Sequence, residues 1–145
     1  MLSVDFENLF RSDDELPGKL SPPSGFAFSP EGHLIIADDF NHRIQVYNGD
    51  KLLRNFGEKG KGDGQFHYPK GITVDKHGNI YVADSWNHRI QKFDSQGNHQ
   101  QTFGSYGEGK DELNEPYDIM VENCGRILVV ERYNHRLQWF SSEGK

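Results

Sequence analysis

The chain has 145 residues, with 22 Asp or Glu against 16 Lys or Arg, so its net charge is −6. This length fits one domain, and a single cysteine excludes an internal disulfide framework and a cysteine-based metal cluster. Sixteen glycines and the absence of any apolar run near the roughly 18 residues of a membrane span indicate short segments joined by turns.

The first ten residues carry Asp5 and Glu7 and lack both a basic start and a long apolar stretch. A secretory signal needs both features, so the sequence favours a cytosolic or nuclear setting, and we predict a cytoplasmic location.

Landmarks recur along the chain with steps of 46 and then 47 residues, as in Asn41, Asn87 and Asn134. A period of this length is typical of propellers and of helical arrays. In chain order the pattern predicts a strand d of a preceding repeat and then three repeats, the third lacking its own strand d, at residues 4–10, 23–56, 69–103 and 116–140.

The second repeat shows what each period contains. Turn residues separate four predicted strands, named a to d, at residues 71–75, 80–84, 89–93 and 99–103. Strand b is apolar on both faces, with Ile80 and Val82 on one side and Tyr81 and Ala83 on the other. Such a strand is covered from both sides, whereas strands c and d alternate apolar and polar residues. The sequence therefore predicts an all-β fold, a β-propeller of four-stranded blades.

The stretches "VADSWNHRIQKF" and "IADDFNHRIQVY", each preceded by Pro-x-Gly and followed by Phe-Gly, resemble NHL repeats. The spacer that begins "FGEKGKGDGQFHYPKG" is similar to the NHL propellers at the C-termini of tripartite-motif proteins. The third repeat departs in having Asp118 where the others have Gly25 and Gly71. The resemblance implies a six-bladed propeller, of which these repeats make about half, so the remaining blades are expected from a longer chain or a second copy.

Every repeat places an acid five residues before an arginine. The pairs are Asp38 and Arg43, Asp84 and Arg89, and Glu131 and Arg136. We expect each pair to join strands b and c by a charge-assisted hydrogen bond. The asparagines in between suit a turn position with an unusual backbone angle, and repetition in every blade indicates a structural role.

The histidines that follow these asparagines are His42, His88 and His135. Equivalent positions of successive blades are spread around a ring, whereas zinc needs its nitrogens about 2.0–2.1 Å away. The sequence therefore predicts no metal and no cofactor, and gives the histidines a packing or hydrogen-bonding role. A catalytic centre would normally need a nucleophile and a base that are unique within the repeat, and the sequence shows no such pair, so we predict that the chain is not an enzyme. The resemblance keeps one enzyme class open, because some NHL-containing proteins are metal-dependent lyases.

An aromatic residue precedes each Asn-His-Arg, in a turn where side chains face outwards. These rings either form an exposed platform or pack over the adjacent blade. The predicted binding rim consists of Phe40, His42, Lys59, Lys61, Trp86, His88, Arg132, Tyr133 and His135.

The resemblance implies two uses for such a rim: recruiting proteins to a ubiquitin ligase, or binding single-stranded RNA. Rings suit both, since they anchor interfaces and stack on bases. The loop at 104–115, however, sets Lys110 against four acidic residues, and an acidic rim opposes a phosphate backbone. Protein recognition therefore ranks first and RNA second. Ligase activity itself would belong to a RING domain that this chain does not contain.

Overall fold

The computed structural model of the protein describes residues 24–145, which form eleven strands and two short 3-10 turns. The strands are β1 (Gly25–Phe28), β2 (Leu34–Asp38), β3 (Arg43–Asn48), β4 (Lys51–Phe56), β5 (Pro69–Val74), β6 (Ile80–Asp84), β7 (Arg89–Phe93), β8 (His99–Phe103), β9 (Pro116–Val121), β10 (Ile127–Glu131) and β11 (Arg136–Phe140). The predicted strand at 4–10 and Pro23, the first residue of the first repeat, lie outside the described residues.

The strands form three antiparallel sheets in chain order: β1 to β4, β5 to β8, and β9 to β11. We call these sheets blades one, two and three. They confirm the predicted all-β fold of stacked blades. Within residues 24–145, no helix has the length and apolar character needed to cross a membrane.

The second strand of blade two, β6, is buried from both sides, because blades one and three cover it. Ile80 and Val82 on β6 pack in the cluster shared with blade one, and Tyr81 and Ala83 pack in the cluster shared with blade three. Burial of apolar side chains contributes about 25 cal/mol per Å² of area removed from water, so the clefts between blades hold most of the apolar core.

The connections between blades also fill these clefts. Phe66 and Leu113, from the loops that follow β4 and β8, are completely buried. Glycines make room for them: a Cβ at Gly57 would lie 2.4 Å from the Phe66 ring, and one at Gly104 would lie 2.6 Å from Leu113. Both glycines also have positive φ, which disfavours other residues.

The first strands of successive blades lie very close together. A Cβ at Gly25 would lie 2.3 Å from the Lys70 carbonyl oxygen, and a Cβ at Gly71 would lie 2.7 Å from the Asp118 Cα. Neither glycine has a positive φ, so close backbone approach, rather than a turn, requires the missing side chain.

The stack ends in two sheet faces with exposed apolar side chains, which we call the end faces. Phe26 and Phe28 are 68% and 53% exposed on blade one, and Leu137 and Trp139 are 62% and 48% exposed on blade three. Large exposed apolar patches mark interaction surfaces, so the end faces are candidate surfaces for packing against another sheet.

Candidate recognition rim

One end of the sheets carries the motifs that the sequence singled out. We define the rim as the 3-10 turns Asp39–Asn41 and Ser85–Asn87, the turn at 132–135, and the loops at 57–68 and 104–115. The chain enters each turn from the second strand of a blade and leaves it into the third. Each loop joins two blades, so the rim is built from both turns and connections.

The acids at the ends of the second strands are completely buried and surrounded by donors. The Asp84 carboxylate accepts hydrogen bonds from Arg89 Nε (2.7 Å), Asn87 Nδ2 (3.0 Å), Gln91 Nε2 (3.1 Å) and the backbone N–H of His67 (2.8 Å). Asp38 and Glu131 lie in the same environment, with Arg43 and Arg136 at 2.7 and 2.6 Å. A buried charge is tolerated only when it is paired and hydrogen-bonded in this way.

The hydrogen bonds also set the ionisation of the acid in blade three. Burial by itself raises the pKa of Glu131, but donation from Arg136, Gln138 and the backbone of Asn114 outweighs burial and holds the pKa below its usual range. The carboxylate therefore stays ionised at neutral pH.

Each arginine does more than join two strands. Arg89 donates from Nη1 to the Lys61 carbonyl oxygen (2.8 Å), and from Nη2 to those of Gly62 (2.8 Å) and Gln65 (2.9 Å). Arg136 makes the equivalent bonds to the loop at 104–115. Because a guanidinium has several N–H donors, one arginine bonds both to the acid of its own blade and to the loop that enters that blade.

The glutamines were missed as part of this network. Gln45 and Gln91 are completely buried, although an alternating strand placed them on a polar face. Each donates to the buried acid, as Gln138 does in blade three, and Gln91 also donates to the Gln65 carbonyl oxygen (2.6 Å). The signal was their recurrence in every Asn-His-Arg-x-Gln segment.

The prediction that the asparagines of the turns adopt an unusual backbone angle is wrong. The left-handed conformation belongs to the histidines, with φ of 53° at His42, 54° at His88 and 49° at His135. The asparagines instead use their side chains: Asn87 Nδ2 donates both to Asp84 and to the Gly60 carbonyl oxygen (2.8 Å). Side-chain bonding, rather than backbone freedom, explains the asparagine.

Two of the histidines connect neighbouring blades. The Nδ1 atom of His42 accepts the backbone N–H of Tyr68 (3.0 Å), and Nδ1 of His88 accepts that of Glu115 (3.1 Å). An accepting Nδ1 is unprotonated, so both rings are neutral with the proton on Nε2.

Burial, followed by the neighbouring His67 and Lys59, lowers the pKa of His42. Burial also lowers the pKa of His88, against the opposing charges of Glu115 and Asp84. Both shifts favour the neutral ring that the bond from the next blade requires. His135 is exposed.

The aromatic residues before Asn-His-Arg, which we call the rim aromatics, are half exposed: Phe40 by 58%, Trp86 by 50% and Tyr133 by 52%. Phe40 and Trp86 also contact Tyr68 of the loop at 57–68, with ring centroids 5.5 and 4.7 Å apart. Phe40 and Trp86 therefore combine both arrangements, because one part of each of these two rings packs on the loop while the rest faces solvent.

The loop residue under these rings differs between the two clefts. Tyr68 and Glu115 are equivalent: both precede a proline, both have positive φ, and both donate their N–H to a histidine. The cleft between blades one and two thus carries Tyr68 with His67, whose rings stack 5.2 Å apart. The cleft between blades two and three carries a carboxylate instead.

The predicted basic residues are exposed at the same end. Lys59 and Lys61 lie on the loop at 57–68, and the Arg132 guanidinium lies 5.3 Å from the Tyr133 ring centroid. Lys70, which the prediction did not include, forms an ion pair with the buried Asp39. Across residues 24–145 no cluster of three His, Cys, Asp or Glu side chains could hold a metal ion.

Comparison with known proteins places these features in a family. The family model for the NHL repeat matches residues 20–47 and 66–93. Protein brain tumor of Drosophila melanogaster is 39% identical over 54 residues, which are 37% of this chain and 5% of that protein. This chain therefore spans a small part of its curated relative.

A structural genomics protein of unknown function from Bacteroides thetaiotaomicron has a similar fold. Its TM-score is 0.73 at 21% sequence identity, with 88% of this chain and 37% of that chain covered. The chain thus contains NHL repeats at residues 20–47 and 66–93 in an all-β, propeller-like fold, and these repeats resemble those of the tripartite-motif NHL proteins.

Proposed function

We propose that the rim is a non-catalytic recognition surface for a protein partner. The observation that carries this proposal is the exposure of the rim aromatics above a framework of completely buried, hydrogen-bonded acids. Interfaces gain most of their affinity from a few aromatic anchors, and a rigid support lowers the conformational entropy lost on binding.

The charge of the loops indicates which partner fits. The loop at 104–115 carries Glu108, Asp111, Glu112 and Glu115 against Lys110. The Glu112 carboxylate is occupied, because it accepts the N–H of Gly109 (2.8 Å). Glu115 is half-buried and makes no side-chain hydrogen bond within the described residues, so it is available to a partner.

The repeat places Glu115 next to the rim aromatics. Trp86 N–H bonds to the His67 carbonyl oxygen, and Tyr133 N–H bonds to the equivalent oxygen of Asn114. Glu115 therefore lies beside Tyr133 as Tyr68 lies beside Trp86. A carboxylate next to aromatic rings suits a guanidinium or ammonium group, which both features attract. The partner is expected to be a segment with an apolar anchor and a basic residue.

A peptide library displayed on phage and selected on the 145-residue chain tests this proposal. Enriched peptides should combine an aromatic or aliphatic residue with Arg or Lys, and Glu115→Gln should weaken their binding by about tenfold, which is the factor for about 1.4 kcal/mol. Glu143→Gln, which removes an exposed carboxylate at the other end of the sheets, is the matched control and should change nothing. Enrichment of acidic peptides, or equal effects of both variants, would contradict the assignment.

The resemblance to tripartite-motif NHL proteins suggests a cellular context for this activity. In that context the rim recruits substrate proteins to a ubiquitin ligase in the cytoplasm. The ligase reaction would take place in a RING domain outside the described residues. Transfer of ubiquitin to a captured protein, lost when the rim aromatics are replaced by alanine, would be the direct test.

Single-stranded RNA is the second candidate, and one cleft favours it. His67 stacks on Tyr68 beside Trp86, and the same loop carries Lys59 and Lys61. Bases stack on such rings while lysines hold the phosphates. Filter binding with short single-stranded RNA at low salt separates the candidates. Tight binding that weakens steeply with salt would favour RNA over protein.

A further inference from the structure

A cavity of about 210 Å³ lies between blades one and two at the end of the sheets opposite the rim. Its floor consists of Ile35, Val46 and Ile80, and the turns at 29–33, 76–78 and 95–96 form its walls. None of the rim residues lines it, so its chemistry is independent of the proposed recognition function.

The cavity exists because two side chains are smaller here than in the next cleft. By the repeat, Tyr81 and Lys92 stand between blades two and three where Ile35 and Val46 stand between blades one and two. Tyr81 is buried, and the Lys92 ammonium lies 5.4 Å from its ring centroid, so these two side chains occupy the corresponding space. Removing a ring and a long aliphatic chain from a packed interior leaves a space that close packing would otherwise fill.

The lining has an excess of positive charge. Arg54 and Lys76 both line the cavity, as do His33 and His77, whereas Glu31 is the one acid among the lining residues. The Glu31 carboxylate is 77% exposed and lies 3.6 Å from His33 Nδ1. With neutral histidines the lining thus has a net charge of +1.

The arginine has donors to spare. Its Nη1 donates to the Ser95 carbonyl oxygen (2.6 Å), which fixes the side chain across the cleft, but a guanidinium has five N–H donors. The ammonium of Lys76 forms no ion pair within the described residues. An anion in the cavity can therefore be held without breaking the contact between blades.

We propose that this cavity binds a small organic monoanion, whose carboxylate meets Arg54 and Lys76 and whose apolar body rests on Ile35, Val46 and Ile80. The volume corresponds to about seven water molecules at roughly 30 Å³ each, which suits a benzoate or a short branched carboxylate. A phosphate dianion fits less well, because the lining supplies one net positive charge and an apolar floor.

Amide chemical shifts of the ¹⁵N-labelled 145-residue chain, titrated with sodium benzoate to roughly 20 mM, measure this binding. Saturable shifts are expected at His33, Gly78 and Ser95, which line the cavity. Benzamide, which has the same shape without the charge, should bind at least about tenfold more weakly, and so should inorganic phosphate.

Two variants locate the site. Arg54→Gln should weaken benzoate binding by about tenfold. It should preserve the fold, because Gln101 at the equivalent position of blade two donates to the Glu143 carbonyl oxygen (2.7 Å) as Arg54 does to Ser95. The pair Ile35→Tyr with Val46→Lys copies the next cleft and should abolish binding by filling the cavity.

The matched control is Arg126→Gln, which removes an exposed arginine from the same end of blade three, outside the cavity. It should leave the benzoate titration unchanged. The proposal is overturned by the absence of saturable shifts, by equal binding of benzamide or phosphate, or by equal effects of Arg54→Gln and Arg126→Gln.

Discussion

Replacing Arg89 by alanine should destabilise the protein strongly, because the side chain makes four hydrogen bonds at 2.7 to 2.9 Å. One of them reaches the completely buried carboxylate of Asp84, and the other three reach carbonyl oxygens of the loop at 57–68. Removing one partner of a buried ion pair costs about 3–5 kcal/mol, because the other charge remains buried. Asn87, Gln91 and the His67 N–H still bond to Asp84, so the lower value of about 3 kcal/mol is expected.

Urea denaturation followed by circular dichroism measures this loss. At an m value of roughly 1.5 kcal/mol/M, a loss of about 3 kcal/mol lowers the midpoint by about 2 M. Arg126→Ala is the matched control: Arg126 Nε lies 2.7 Å from Glu122, as Arg89 Nε does from Asp84, but this side chain is 60% exposed. An exposed ion pair contributes little, so the midpoint of the control should stay in place.

The double variant Asp84→Asn with Arg89→Ala isolates the electrostatic part of the effect. Removing the buried charge together with its partner should cost less than the sum of the two single changes, with a coupling of about 1–3 kcal/mol. The framework role of Arg89 is refuted if Arg89→Ala and Arg126→Ala shift the midpoint equally, or if the double variant shows no coupling.

Three further predictions concern pH, the rim and the end faces. Folding lowers the pKa of His42 and His88 below the ordinary 6.5, so their contribution to the free energy of unfolding should be fully present above pH 6.5 and be lost as the pH falls through the folded pKa. Urea midpoints at pH 7.5 and 5.5 measure this loss. Replacing both histidines by glutamine should reduce the difference between the two midpoints. Replacing all three rim aromatics by alanine should abolish capture of the selected peptides. Truncating one buried aromatic costs about 3–5 kcal/mol, and the triple variant should lose less free energy of unfolding than this. A larger loss would show that the rim aromatics are packing residues. Because the end faces expose apolar side chains, the 16.6 kDa chain should self-associate in sedimentation equilibrium. The double variant Leu137→Lys with Trp139→Lys should associate less. A monodisperse wild-type monomer would contradict this prediction.

The strands could be predicted closely because two signals agree in each repeat. In blade two, strands b, c and d were expected at 80–84, 89–93 and 99–103, and β6, β7 and β8 have these bounds. Apolar periodicity marks the strands, and Gly-containing turns mark their ends. The start of the first strand was predicted two residues too late, at Gly71, whereas β5 begins at Pro69, since proline is tolerated at the first residue of a strand.

The rim could be predicted only in part, because its chemistry depends on contacts between repeats. Asp84 and Arg89 are five residues apart, and a local argument brought them together. The bond from Tyr68 N–H to His42 crosses 26 residues, and the bond from Gln91 to the Gln65 carbonyl crosses 26 as well. No local pattern predicts such bonds, so the recurrence of the histidine and the glutamine marks these residues without identifying their partners in the neighbouring loop.

The close approach of the first strands has a consequence for rotational symmetry around the propeller axis. The first strands β1 and β5, and likewise β5 and β9, can approach this closely because Gly25 and Gly71 have no Cβ on the side of the following blade. Asp118 is the third member of this series, and it does have a Cβ. A neighbour that repeated the same step beyond β9 would place backbone atoms 2.3 to 2.7 Å from that Cβ, the separations found at the two glycines. The rotation that relates the three blades therefore cannot be repeated unchanged beyond β9, and any further blade packed there would have to stand farther from it at the axis.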